Sequence, residues 1–174
     1  MAWGDRGLRD DRSSRGGGPG QVTWRGCFVC DKHARGSEVP GGAIFEDDKT
    51  YVGHVLPNDL THVYLGHLIV EPKRHVEGLG QLTNGEASAL GCRVNEMSRL
   101  LREVEGANHI YSWVLGDAVP HLHIHLVPRY PDTPREFWGA KVTDWPGAPR
   151  GGKAEIDSIC ERLRRGLPLV KPGD

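Results

Sequence analysis

The chain has 174 residues, of which 26% are charged and 37% hydrophobic, with a formal net charge of −1. That length suffices for one domain with a substantial core, and the near-zero charge argues against bulk attraction to nucleic acid or a membrane surface. No apolar run approaches the roughly 18 residues of a spanning helix, and the first residues lack an apolar signal core, so a cytoplasmic protein is expected.

Residues 1–22 are rich in Gly, Arg, Asp and Ser. Little there offsets the entropy of ordering, so a disordered tail is expected, with residues 23–174 as a single domain. Ala43–Glu46 and Tyr51–Leu56 read as strands around an Asp47-Asp48-Lys49 turn, and Val63–Val70 as a third strand. Thr83 and Glu86 form a capping box at the start of a long helix. Ala87, Leu90, Val94, Met97, Leu101 and Val104 follow at helical spacing as one buried stripe, and Gly106 ends the helix. Strands near His109–Leu115 and Leu122–Val127 come next, joined by a turn at Gly116-Asp117. Residues 128–153 hold several prolines with Phe137, Trp138 and Trp145, an ordered loop or lid because the aromatics need burial. A last helix, near Ala154–Arg165, presents Ile156, Ile159, Cys160 and Leu163. Cys92 and Cys160 are read as helix packing.

His121-Leu122-His123-Ile124-His125 carries the chemistry. Alternation at period two puts the three imidazoles on one strand face and Leu122, Ile124 and Leu126 on the other. Such a patch suits two tasks. It can bind zinc with one coordination position open, or it can attack phosphorus with one imidazole while its neighbours bond the phosphate oxygens. Cys27-Phe28-Val29-Cys30 is a Cys-x-x-Cys, which by itself is a redox pair, half a zinc site or two buried thiols. Lys73, Arg74 and Arg129 are cations able to hold phosphate.

The chain resembles the histidine triad family. The triad with its trailing Leu126-Val127-Pro128, the upstream Gly66-His67-Leu68-Ile69-Val70-Glu71-Pro72-Lys73-Arg74-His75, and the early hairpin at Ile44-Phe45-Glu46 match that family in order, over residues 27–138. The resemblance implies an α+β fold, an antiparallel sheet with one long helix and a C-terminal helix. It implies nucleotidyl chemistry with His123 as nucleophile, His125 on the phosphate oxygens and His67 in support. Some relatives bind structural zinc through a similar cysteine pair, the Pro-x-x-His histidine and the first triad histidine. Carried over, those ligands are Cys27, Cys30, His75 and His121, with His33 a nearby competitor. A homodimer and a small nucleotide substrate are the expected partners.

The match departs in two windows. Asp117-Ala118-Val119-Pro120 lacks the hydroxyl that members carry just before the triad, which leaves Asp117 as a candidate for the leaving-group side. His54 stands where members place a ribose-binding Asp, so His54 and Arg129 join Asp117 as candidate substrate contacts. Two other readings remain at this point: a zinc-stabilised nucleotide-binding module with little catalysis, and a zinc hydrolase with its metal on His121, His123 and His125.

Overall fold

The computed structural model describes residues 26–35, 39–56 and 62–168. The tail expected at residues 1–22 lies outside them. The elements are α1 (Phe28–Arg35), β1 (Ala43–Glu46), β2 (Thr50–His54), β3 (Val63–Tyr64), β4 (Leu68–Pro72), α2 (Asn84–Glu103), β5 (His109–Trp113), β6 (Ile124–Arg129), β7 (Arg150–Gly151) and α3 (Lys153–Gly166). The five longer strands form an antiparallel sheet in the order β1-β2-β4-β6-β5, and β3 pairs with β7 in a second, two-stranded sheet. The α+β architecture expected from the resemblance is therefore the observed one.

Strand alternation divides the large sheet into two unlike faces. Val52, Val70, Ile124, Leu68 and Leu126 point to one side, where α2 and α3 cover them with Leu90, Met97, Leu100, Leu101, Ile156, Ile159 and Leu163. α2 begins with the expected capping box: Thr83 accepts the Glu86 N–H, and the Glu86 carboxylate accepts the Thr83 N–H at 2.8 Å. Its stripe differs at one end. Ala87 is exposed and Leu100 joins the buried side, while Cys92, expected to pack, is exposed.

Tyr51, Ile69, Glu71, His125, Val127, Tyr111 and Trp113 alternate onto the other face. Two pieces cover its ends. α1 packs over Tyr51 and Glu71, with Lys32 and His33 reaching that strand pair. Residues 131–149 cover the far end, where Val142, Ala148 and Trp145 pack with Tyr64, Val127 and Tyr130. The open strip between the covers holds Ile69 and His125.

Two connections differ from the sequence reading. The strand expected at Val63–Val70 is broken at Leu65-Gly66, which separates β3 from β4. Gly66 has φ +81°, and a Cβ there would come within 2.5 Å of the Tyr130 hydroxyl, so only glycine makes this turn. The β5–β6 connection is longer than a tight turn, spanning residues 114–123, because β6 starts at Ile124.

Candidate functional site

Only His125 of the three alternating histidines lies within the paired strand; His121 and His123 occupy the extended approach to it. This divides the triad into two groups. His123 and His125 sit with His67, which follows the Gly66 turn on the neighbouring strand. His121 points instead toward α1.

The first group is defined by its hydrogen bonds. The Nδ1 of His123 lies 2.7 Å from the His121 carbonyl oxygen. A carbonyl can only accept, so Nδ1 carries a proton, and in the neutral ring Nε2 keeps its lone pair. The His67 Nε2 and His125 Nδ1 are 2.9 Å apart and share one proton. The His123 and His125 ring centres are 4.9 Å apart. Burial, with the facing His125 adding to it, pushes the His67 imidazole down to about 3. His125 is also lowered, by burial and then by His123. The sequence reading missed Trp113, the register partner of His125 on β5, whose ring meets His67 edge-on at 6.5 Å. Period-two alternation along His109–Trp113 carried that signal.

The second group joins residues from four places in the chain. Cys27 caps the start of α1 and Cys30 lies one turn later, so both sulfurs leave the same end of the helix. No helix was expected over these residues, although an i, i+3 cysteine pair fits one turn. The ligand atoms of Cys27, Cys30, His75 and His121 all lie within 4.8 Å of one another. The His121 Nδ1 is 3.6 Å from the Cys27 sulfur and 3.5 Å from that of Cys30, and the His75 Nδ1 is 3.3 Å from the Cys30 sulfur. In a tetrahedral zinc site, bonds of about 2.3 Å to sulfur and 2.0–2.1 Å to nitrogen put neighbouring S and N atoms about 3.6 Å apart. The three S–N separations match that spacing, and the four donors together could hold a metal ion. The Nε2 of His121 donates to the Pro72 carbonyl at 2.9 Å, which leaves Nδ1 as the free donor toward the sulfurs. Burial and then Cys27 push the Cys30 thiol up to about 12, and burial pulls His121 down to about 4. The thiol therefore holds its proton until a cation replaces it.

Glu71 lies on the same face, 1% exposed, and belongs to a cluster the sequence reading did not foresee. One carboxylate oxygen accepts from Lys32 at 2.5 Å and from His33 at 3.0 Å. Burial would raise this carboxyl, but the His33 and Lys32 contacts outweigh it and hold it below its ordinary value. His33 is committed to Glu71 and is not among the four clustered donors.

The expected substrate contacts do not converge on the histidines. His54 is 2% exposed on the helix-covered face. Its Nδ1 donates to the Val55 carbonyl at 2.8 Å and its Nε2 accepts the Gly66 N–H at 3.0 Å. Both nitrogens are spent on holding the turn that presents His67, so His54 is a structural residue and not a ribose contact. Arg129 lies four residues beyond His125, about 13 Å along the strand, stacked on Trp138 at 3.7 Å. Asp117 is exposed in the β5–β6 connection. Lys73 pairs with Glu46, and Arg74 pairs with Glu86 at 2.7 Å, so neither is an uncommitted phosphate ligand. The segment 135–138 contacts the Arg129 end of the sheet through Trp138.

Among the described residues, no helix is long and apolar enough to cross a membrane. The chain is 31% identical over 110 residues to the protein Hit of Bacillus subtilis, covering 60% of this chain and 71% of that protein. It is 30% identical over 94 residues to the asymmetrical bis(5′-nucleosyl)-tetraphosphatase of Schizosaccharomyces pombe, covering 51% of this chain and half of that enzyme. In fold it is similar to a histidine triad nucleotide-binding protein from Sulfolobus tokodaii, with a TM-score of 0.60 at 21% identity over 80% of this chain and 90% of that one. It also resembles a zinc-bound histidine triad family protein from Mycobacterium smegmatis, with a TM-score of 0.55 at 16% identity over 82% and 98% of the two chains. The HIT domain family model matches residues 37–132, more than half of the sequence, and the chain belongs to that family.

Proposed function

We propose that this protein breaks the bond between the α-phosphorus of a nucleotide and its leaving group, through a covalent nucleotidyl-histidine. One observation carries the reading: the His123 Nε2 lone pair is left free by the Nδ1 bond to the His121 carbonyl, beside a hydrogen-bonded His67–His125 pair.

Nε2 of His123 attacks the α-phosphorus, and the bond from phosphorus to the leaving group breaks with its electron pair. The leaving group departs as a phosphate, amine or carboxylate and takes up a proton where its basicity demands one. The equatorial oxygens gain charge in this step, and His125, with His67 behind it, donates to them. Water, or a second acceptor, then displaces His123 from phosphorus and loses a proton, which restores the free imidazole and releases the nucleotide. Substrates of suitable chemistry are dinucleoside polyphosphates, nucleoside phosphoramidates and acyl-adenylates. The similarity to the fission-yeast tetraphosphatase supports a phosphoanhydride.

Zinc is the metal proposed for Cys27, Cys30, His75 and His121. Two thiolates and two imidazoles close a tetrahedral shell, and such a site supplies folding energy. The assignment keeps His121 with the metal and leaves His123 and His125 to the substrate. A homodimer is part of the proposal. Strand β5 is an edge of the sheet, and Val114 and Leu115 beyond it are 42% and 64% exposed, which supports a second copy pairing there.

The test is denaturing mass spectrometry after brief mixing with diadenosine tetraphosphate and with adenosine 5′-phosphoramidate. An acid-labile adenylyl mass on His123, absent from His123→Ala together with turnover, is expected. Full activity in His123→Ala refutes the mechanism. Nucleotide binding with neither adduct nor turnover leaves a zinc-stabilised binding module.

A further inference from the structure

A line of rings leads away from the histidines along β5. Trp113 meets His67 edge-on at 6.5 Å, stacks parallel to Tyr111 at 6.5 Å, and Tyr111 meets His109 at 4.8 Å. These three residues are the register partners of His125, Val127 and Arg129. Val127 is fully buried beneath residues 131–149, so the partly exposed rings of β5 form the outer rim of that cover. The line ends at Arg129, whose guanidinium lies 3.7 Å over the Trp138 ring, with that of Arg135 at 5.7 Å.

This end has three properties of a binding platform. Trp138 is 45% exposed, yet its Nε1 donates to the Thr133 carbonyl at 3.0 Å, so the ring is held in place before anything binds. Most of the other cationic side chains of this fold are paired: Lys32, Lys73, Arg74, Arg93, Lys153, Arg162, Arg164 and Arg165 each meet a carboxylate. Among the described residues, Arg129 and Arg135 have no such partner, although Asp132 and Glu136 lie in the same segment. A guanidinium held over an indole ring can still offer N–H groups to phosphate oxygens.

We propose that the Arg129–Trp138–Arg135 platform is a distal subsite for the leaving half of a dinucleoside polyphosphate. The far base stacks on Trp138, and the guanidiniums take the charge of the bridging phosphates. The span from His125 to Arg129, about 13 Å, is one that a chain of phosphates ending in a second nucleoside bridges and a phosphoramidate does not. The inference rests on the nucleotidyl-transfer reading and adds to it which substrate class this chain prefers.

The experiment compares kcat/KM for diadenosine tetraphosphate and adenosine 5′-phosphoramidate in the full chain, Trp138→Ala, Trp138→Phe and Arg129→Gln/Arg135→Gln. Stacking of one base on an aromatic side chain is worth roughly a tenfold change in binding. Trp138→Ala and the double arginine variant should each lose about that factor with the tetraphosphate, in KM and not in kcat, while the phosphoramidate changes less than about twofold. Trp138→Phe should recover most of the loss. Equal losses on both substrates, or none on the tetraphosphate, overturn the subsite. If the unaltered chain turns over neither substrate, the nucleotidyl-transfer reading falls. Calorimetric titration with diadenosine tetraphosphate and AMP then decides the subsite: Trp138→Ala must weaken only the former, and an unchanged ratio rejects it.

Discussion

Removing the carboxylate of Glu71 should be among the most damaging single substitutions in this protein. Glu71 and Lys32 are 1% and 5% exposed, with a 2.5 Å contact, and His33 bonds the same carboxylate oxygen. Glu71→Leu leaves the Lys32 ammonium buried without its anion, and breaking a buried pair this way costs about 3–5 kcal/mol. Lys32→Met is milder, since His33 still donates to the carboxylate; losing one charged hydrogen bond there costs about 1.5–3 kcal/mol. Lys32→Met/Glu71→Leu leaves neither charge stranded and, beyond the His33 hydrogen bond that Glu71→Leu also loses, should lie within about 1 kcal/mol of the unaltered chain, because apolar replacements of similar volume are often neutral. The double-mutant cycle should therefore return a coupling of at least about 3 kcal/mol. Urea unfolding of the four proteins at saturating zinc measures it. α1 and its N-terminal residue Cys27 hold two of the four clustered donors and contact the sheet through this cluster, so Glu71→Leu should also weaken the proposed zinc binding, and the double variant should restore it. Purely additive costs, or a Glu71→Leu penalty under about 1 kcal/mol, would show that the ion pair does not dock α1.

Three further outcomes follow from the structure. One zinc per chain should bind with an affinity that rises with pH, since the Cys30 thiol, held up to about 12, must release its proton; chelation should lower the melting temperature, and an unchanged melt would remove the structural role. The folded chain keeps His67 neutral down to about 3, whereas an unfolded histidine protonates near 6.5. The unfolded state therefore binds more protons between these values, and stability falls as pH drops through 6.5. At pH 5 this group alone costs about 2 kcal/mol relative to pH 8, an increment that His67→Gln should lose in parallel urea titrations. Thr83→Ala should cost about 1 kcal/mol by chemical denaturation, from the loss of the hydroxyl that caps α2; an effect under a few tenths would mean solvent caps the helix equally well.

Local pattern determined much of this protein. The period-two run Leu122, Ile124, Leu126 buried its apolar side, and within β6 the alternation turned His125 to the other face. The Thr83–Glu86 box and the spacing of Leu90, Met97 and Leu101 placed α2 and its core-facing side. The four clustered donors were legible only through the family resemblance; spacing left the cysteine pair open among three chemistries. What the sequence could not show was which partner each polar group meets across the sheet. The family resemblance puts His54 where members place a ribose-binding Asp, yet its environment makes it the clamp on the Gly66 turn. Arg129 is a free cation in the sequence, while the packing of residues 131–149 lays it on Trp138. Lys32 and Glu71 are 39 positions apart, and nothing local marks them as buried. These choices depend on contacts between distant segments, whose energies exist only once the sheet has brought the segments together.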